Sequence, residues 1–308
     1  MNKYNISKQF KAISNFKPPV NRFTIFLSKL LLHAPLSMFL DKDLKVKKHK
    51  IEAFNKGKIK LYEIYPKNIK NNAPCLIYYH GGGFVMPASP YHYKLACQYA
   101  KQLNAKVIFV NYRLAPKYKI PYQVEDSYCA LKWTQENAKN LNIDISNIGV
   151  GGDSAGGTIA AGVCLITKDR NPENQVKFQM LVYPFLDKSM SSESAKKFTD
   201  TPMWNSKLSE KASKLIMPKE DVQNEYYFSP VEAPDFKNLP SAYIETAEFD
   251  SLHDDGIKYK ELLETSGVKV VLNETKQTMH GFDMILKAQI TKDAVKQRIN
   301  FMKNQFEN

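Results

Sequence analysis

The sequence has no run of about 18 uncharged apolar residues, so no membrane-spanning helix is expected. Cysteine is scarce: Cys75, Cys97, Cys129 and Cys164 lie far apart in apolar stretches, with no CxxC and no Cys/His pairing at metal spacing. They read as buried free thiols suited to a reducing compartment, which places the chain in the cytoplasm and implies no metal. The 13 glycines and 16 prolines are scattered, excluding collagenous or low-complexity architecture. Residues 1–21 lack a compact apolar core followed by a small-residue cleavage site, so no secretory signal is expected. No internal repeat is visible. With 43% hydrophobic and 24% charged residues, the 308-residue chain has the makings of a sizeable globular core.

Negative charge is missing from one segment in particular. Residues 1–60 hold 14 Lys/Arg against 3 Asp/Glu, a net of +11, whereas the whole chain carries +13. In that segment Phe23, Phe26, Leu27, Leu30, Leu31 and Ala34 recur at the spacing of one helical face, with Ile25 and Leu32 off the stripe and Pro35 ending the helix. Three readings follow: a helix packed over the main domain among solvated lysines, a cationic surface resting on anionic lipid, or a nucleic-acid contact through Lys45, Lys47, Lys48 and Lys50. No nucleic-acid motif accompanies the lysines, and nucleic acid is not expected. Residues 1–50 are therefore set apart as a basic helical cap segment.

From about residue 51 onward, strand-like and helix-length stretches alternate. Ile59–Tyr65 alternates as a half-buried edge strand does; Cys75–Tyr79 and Val107–Val110 are continuous apolar runs of strands covered on both faces. Helices are expected at Tyr91–Leu103, Val124–Asn140, Thr158–Thr167, Asp254–Ser266 and from about Asp283. Further strands are expected at Ile148–Val150, Phe178–Tyr183, Ala242–Thr246 and Val268–Leu272. This alternation implies an α/β class with a mostly parallel sheet flanked by helices. Residues 187–235 break the rhythm, being polar and too long for an ordinary connection; they are expected to form a cap of short helices, one containing Trp204.

Two strings carry chemistry. Gly151-Gly152-Asp153-Ser154-Ala155-Gly156-Gly157 contains G-x-S-x-G between a predicted strand and a predicted helix. Such a sharp turn strains the serine backbone, crowds the positions two residues either side, and stands Ser154 at a helix N-terminus that favours a developing anion. His80-Gly81-Gly82-Gly83-Phe84 follows an apolar strand, and its backbone N–H groups, with that of Ala155, would form an oxyanion hole. No Gly-Lys-Ser/Thr follows, which removes the phosphate-loop reading. A base must also reach Ser154. Of six histidines, His280 in the loop after the final strand is the best placed; His80 reads as a brace for the glycine loop. Asp250, just after a predicted strand, is the orienting carboxylate, with Asp254 and Asp255 as competitors in the next helix; Asp126 and Asp187 read as structural.

These strings, with Asn111-Tyr112-Arg113-Leu114-Ala115-Pro116, Val182-Tyr183-Pro184, Asp250 to Gly256 and His280-Gly281-Phe282, occur in an order that resembles the hormone-sensitive-lipase-like esterase branch of the α/β-hydrolases. The resemblance covers roughly residues 50–285. It implies Ser154, Asp250 and His280 as a triad, and Gly82, Gly83 and Ala155 as oxyanion donors with Gly81 shaping the loop and counted with them. It implies hydrolysis of small to medium acyl esters through an acyl-enzyme, a small-molecule ester as partner, and no cofactor. Phe84, Tyr183, Phe185 and Trp204 are the aromatics expected to line the pocket. Lys117, Glu248 and Ser251 depart from the family pattern, the last two beside Asp250. Rival readings are an amidase or peptidase using the same triad, and a non-catalytic small-molecule receptor, against which the presence of His280 speaks. A homodimer and a peripheral contact of residues 1–60 with anionic membrane remain open expectations.

Overall fold

The computed structural model describes residues 3–31 and 36–307. Its strands are β1 (Leu44–Ala53), β2 (Gly57–Pro66), β3 (Ala73–Tyr79), β4 (Lys106–Asn111), β5 (Ile143–Asp153), β6 (Phe178–Val182), β7 (Ser241–Phe249) and β8 (Val270–Met279). Its helices are α1 (Arg22–Leu31), α2 (Pro90–Leu103), α3 (Tyr122–Glu136), α4 (Ala155–Arg170), α5 (Glu193–Lys197), α6 (Ser206–Ile216), α7 (His253–Thr265) and α8 (Gln289–Glu307). The strands form one sheet in the order β1-β2-β4-β3-β5-β6-β7-β8. From β4 to β8 every pairing is parallel, while β1, β2 and β4 pair antiparallel. β3 and β6 lie inside the sheet with a strand on either side, and apart from Gln179 their runs are apolar, as suits strands covered on both faces.

One apolar layer joins the sheet to α2 and α8 and contains Tyr78, Phe109, Met180 and Met302; the other joins it to α3, α4 and α7 and contains Ile77, Val150, Ile159 and Tyr259. α4 runs through the interior: every residue from Ala155 to Thr167 is buried. Its small side chains permit that approach, since a Cβ on Gly162 would stand 1.9 Å from the Tyr227 carbonyl oxygen. Among the described residues no helix is long and apolar enough to cross a membrane.

Three expectations need correction. Ile59–Tyr65 lies within β2, which is not an edge strand, because the lysine-rich segment before it forms β1 and covers it. The boundary expected at residue 50 therefore falls inside a strand. Lys45, Lys47, Lys48 and Lys50 are exposed along that edge, where charge keeps an open strand from pairing with another chain. In α1 two residues of the stripe are turned outward: Phe23 and Phe26 are 72% and 68% exposed, whereas off-stripe Ile25 is buried. Leu32, His33, Ala34 and Pro35 lie outside the described residues. Finally, residues 187–235 do form short helices, but Trp204 precedes α6 rather than belonging to it; Asn205 caps that helix, its side chain accepting from Leu208 N–H at 3.2 Å.

Candidate active site

The loops after β3, β5, β7 and β8 meet at the carboxyl end of the parallel sheet, where open α/β sheets place their sites. β5 ends at Asp153 and α4 begins at Ala155, leaving Ser154 alone to make the turn, with φ 54° and ψ −120°. That left-handed conformation is strained for any residue with a Cβ. The turn is closed by Ser154 N–H donating to the Val182 carbonyl at 2.8 Å. Side chains at Gly152 and Gly156 are impossible for steric reasons: a Cβ on Gly152 would lie 2.4 Å from the Gly156 carbonyl carbon, and one on Gly156 would lie 2.0 Å from the Tyr79 oxygen.

His280 Nε2 stands 2.8 Å from Ser154 Oγ, and its Nδ1 stands 2.7 Å from Asp250 Oδ2. Asp250 is fully buried, and its second oxygen accepts from Leu252 N–H at 3.0 Å. The carboxylate therefore holds Nδ1 as donor and leaves Nε2 as the basic nitrogen facing the serine. The competitors do other things. Asp254 accepts from Ser194 N–H at 2.8 Å, and Asp255, pushed up to about 8 by burial, accepts from the N–H groups of Leu186 and Asp187. Glu248 accepts from Gln277 N–H at 2.7 Å, and Ser251 is buried, so the two departures near Asp250 leave its contact with His280 intact. Asp126 pairs with Arg113 and Asp187 with Lys258.

The glycine loop lies across from Ser154, His280 and Asp250. No acceptor among the described residues meets the N–H groups of Gly82, Gly83 or Ala155, which leaves them available to a ligand oxygen. Gly81, counted with them above, donates instead to Asp153 Oδ2 at 3.1 Å. Asp153 ties the glycine loop to the elements around it. Its buried carboxylate also accepts from Tyr78 OH at 2.6 Å, Tyr91 OH at 3.0 Å and His92 Nε2 at 3.1 Å. Ser89 N–H donates to His92 Nδ1 at 2.9 Å, which fixes the tautomer with the proton on Nε2. Burial alone would raise Asp153, but His92 and the Tyr78 hydroxyl outweigh it and hold the carboxyl well below its ordinary range. Its only sequence signal was its place inside the serine motif.

His80 braces the same loop. Its ring stacks on Tyr112 at 4.4 Å, its Nδ1 donates to the Gly81 carbonyl at 2.7 Å, and burial lowers its pKa to about 3. Behind His280, the Tyr183 ring packs at 4.7 Å, and its hydroxyl donates to Asp283 at 2.5 Å. Asp283 is bound by Arg298, which also pairs with Glu245; all three are buried. This ion network anchors the floor beneath the histidine loop, and nothing in the spacing of residues 245, 283 and 298 announced it.

Two cavities open on Ser154. A pouch of about 20 Å³ is walled by Phe84, Phe185, Trp204, Leu252 and, from α6, Ala212 and Ile216. A cleft of about 470 Å³, mostly apolar, runs past His280, Tyr183, Met203 and Met284 to Ile25 of α1. All four expected aromatics therefore border the site, two of them at the pouch alone. Beyond them, the cleft's methionines, Met86, Met203 and Met284, were not foreseen.

Residues 76–284 match the model of a family described by its alpha/beta hydrolase fold. The chain is 36% identical to carboxylesterase NlhH of Mycobacterium tuberculosis over 221 residues, which is 71% of this chain and 69% of that protein. Among solved structures, a bacterial heroin esterase superposes with a TM-score of 0.89 at 28% identity, covering 98% of both chains. An esterase of Pyrobaculum calidifontis superposes with a TM-score of 0.85 at 31% identity, covering 97% of this chain and 98% of that one.

Proposed function

Because the chain belongs to the hormone-sensitive-lipase-like branch of the alpha/beta hydrolases and is a carboxylic ester hydrolase, we propose that it cleaves esters of small to medium acyl groups through a covalent acyl-enzyme on Ser154. The observation that carries this reading is the unbroken chain from Ser154 Oγ through His280 to Asp250, at 2.8 and 2.7 Å. His280 takes the serine proton as Oγ attacks the ester carbonyl. Charge gathers on the carbonyl oxygen, which the N–H groups of Gly82, Gly83 and Ala155 receive; the positive end of α4 adds to their effect. Protonated His280, stabilised by Asp250, then gives its proton to the departing alcohol. Water attacks the acyl-enzyme by the same route, releasing the acid and restoring Ser154.

The test is hydrolysis of p-nitrophenyl esters by wild type and Ser154→Ala, with a matched p-nitroanilide alongside. Burst release of one nitrophenol per chain, absent in the variant, is the expected result. Equal turnover by the variant would refute the mechanism, and faster anilide than ester cleavage would move the activity to amides. Four free cysteines, three of them buried, support a cytoplasmic setting. The outward-facing Phe23 and Phe26 on a segment of net charge +11 support a peripheral contact with anionic lipid. Loss of co-sedimentation with anionic vesicles in Phe23→Ser/Phe26→Ser is the expected outcome; equal sedimentation would remove that contact.

A further inference from the structure

The two cavities at Ser154 differ more than twentyfold in volume, at about 20 and 470 Å³; they share Gly83, Ser154 and Trp204 and otherwise have separate walls. The chemistry of the tetrahedral intermediate decides which half of an ester each receives, given the acyl-enzyme reading above. Four groups surround the reacting carbon: Ser154 Oγ, the oxyanion, the acyl chain and the alkoxy oxygen. The oxyanion faces the N–H groups of Gly82, Gly83 and Ala155. The alkoxy oxygen must take a proton from His280 Nε2 as its bond to carbon breaks, so the alcohol emerges on the histidine's side. His280, Gly281 and Tyr183 line the large cleft, and none of them lines the pouch. The acyl chain is left to point into the pouch.

We infer that the site is built for an acetyl-sized acyl group carried on a bulky, apolar alcohol, with Trp204 setting the acyl limit. A void of about 20 Å³ holds little more than one water-sized group, which matches the acetyl methyl. Its walls are not free to retreat. Trp204 lines both pouch and cleft, its indole N–H donating to Ser209 Oγ at 2.8 Å, and a Cβ on Gly83 would already lie 2.8 Å from the indole edge. Ile216 and Ala212, the opposite wall, are buried on the inner face of α6, whose N-terminus is capped by Asn205. On the other side, the cleft walls are Met203, Met284, Met86 and Ile25, flexible thioethers and aliphatic carbon that fit varied apolar shapes. Close packing resists a longer acyl chain, whereas each methylene added to the alcohol still finds apolar surface.

The experiment measures kcat/KM in two series, each rate divided by that of hydroxide-catalysed hydrolysis. The first holds p-nitrophenol and lengthens the acyl group from acetate to butyrate to hexanoate. The second holds acetate and enlarges an unactivated alcohol from ethyl to hexyl to 2-cyclohexylethyl. A fall of at least tenfold along the first series and a rise of at least tenfold along the second are expected. Trp204→Ala, which joins the cavities, and Ile216→Ala, which deepens only the pouch, should each raise the hexanoate-to-acetate ratio at least tenfold. The wild-type series decide the matter even if one variant fails to fold. Hexanoate equal to or better than acetate, or a flat alcohol series, overturns this assignment while leaving the serine mechanism standing. No serine-dependent hydrolysis in either series overturns both.

Discussion

Gly81→Ala tests the architecture of the oxyanion loop without replacing Ser154, Asp250 or His280. A Cβ at this position would lie 2.4 Å from Asp153 Oδ2, 2.9 Å from the Asp153 carbonyl oxygen and 3.2 Å from Ser154 Cβ, where ordinary contact begins at 3.4 Å. Gly81 does not occupy the left-handed backbone region, so alanine meets no conformational penalty and the whole effect is contact. Asp153 cannot yield, because three other donors hold its carboxylate. The loop must therefore move back from Ser154 by about 1 Å, taking the N–H groups of Gly82 and Gly83 with it, and a misplacement of that size costs about 10²-fold in rate. The same shift breaks the hydrogen bond from Gly81 N–H to Asp153. Overpacking of this kind destabilises by about 1–3 kcal/mol, which a domain of this size survives. Steady-state hydrolysis of p-nitrophenyl acetate should show kcat reduced about 10²-fold with KM within about threefold of wild type, since the lost interaction is made mainly in the transition state. Urea unfolding of the same sample checks that the protein is folded. A folded variant with kcat within about threefold of wild type would refute the claim that Asp153 and Gly81 together place the donors.

Asp250→Asn should lower kcat by about 10³–10⁴-fold with little change in KM, because an amide hydrogen facing His280 Nδ1 favours the wrong tautomer; a loss under tenfold would show that another carboxylate orients the imidazole. His80 predicts an acid-sensitive fold. Its folded pKa of about 3 lies below the ordinary 6.5, so its contribution is complete above about pH 6.5 and is lost as pH falls toward 3. At pH 5 the loss from this residue alone is about 2 kcal/mol. Urea midpoints at pH 7.5 and 5 should converge in His80→Gln relative to wild type, and an unchanged gap would contradict the assignment. Arg298→Met leaves buried Glu245 and Asp283 without their counter-ion and should destabilise by about 3–5 kcal/mol, read from the urea midpoint. A change below about 1 kcal/mol would mean that the network contributes nothing to holding the floor under His280.

The sheet and the site loops were legible because the signals are local. Central strands such as Cys75–Tyr79 are covered on both faces, so their apolar runs need no partner to be recognised. Ser154 and the glycine loop were legible for a related reason: a one-residue turn with close backbone approach admits few residue types, and those types stand adjacent in the chain. That His280 and Asp250 come together beside Ser154 followed from their position after strands, and Asp254 and Asp255 do lie in the next helix.

α1 shows where that reasoning stops. Its periodicity identified a helix with an apolar stripe, yet Phe23 and Phe26 of that stripe face outward, while off-stripe Ile25 is buried and lines the cleft beside Leu27. Periodicity reports that apolar residues share a face; it carries no information on what surface, if any, lies opposite. The lysines of β1 were equally opaque, since their meaning as an edge depends on which strands pair, a long-range property of the chain. The supporting groups of the site are long-range in the same sense. Asp153 gathers donors from residues 78, 81, 91 and 92, and Arg298 reaches Glu245 across 53 residues and Asp283 across 15. The sequence by itself determined the fold class and the sharp turn at Ser154, because local patterning and short-range sterics dictate the residue types there; the order Ser154, Asp250, His280 came with the resemblance to the family. Only the tertiary structure decided which N–H groups stay free, how Trp204 and α6 shape the space around Ser154, and which side of α1 carries Ile25. Those outcomes depend on distances between segments that the chain brings together only by folding.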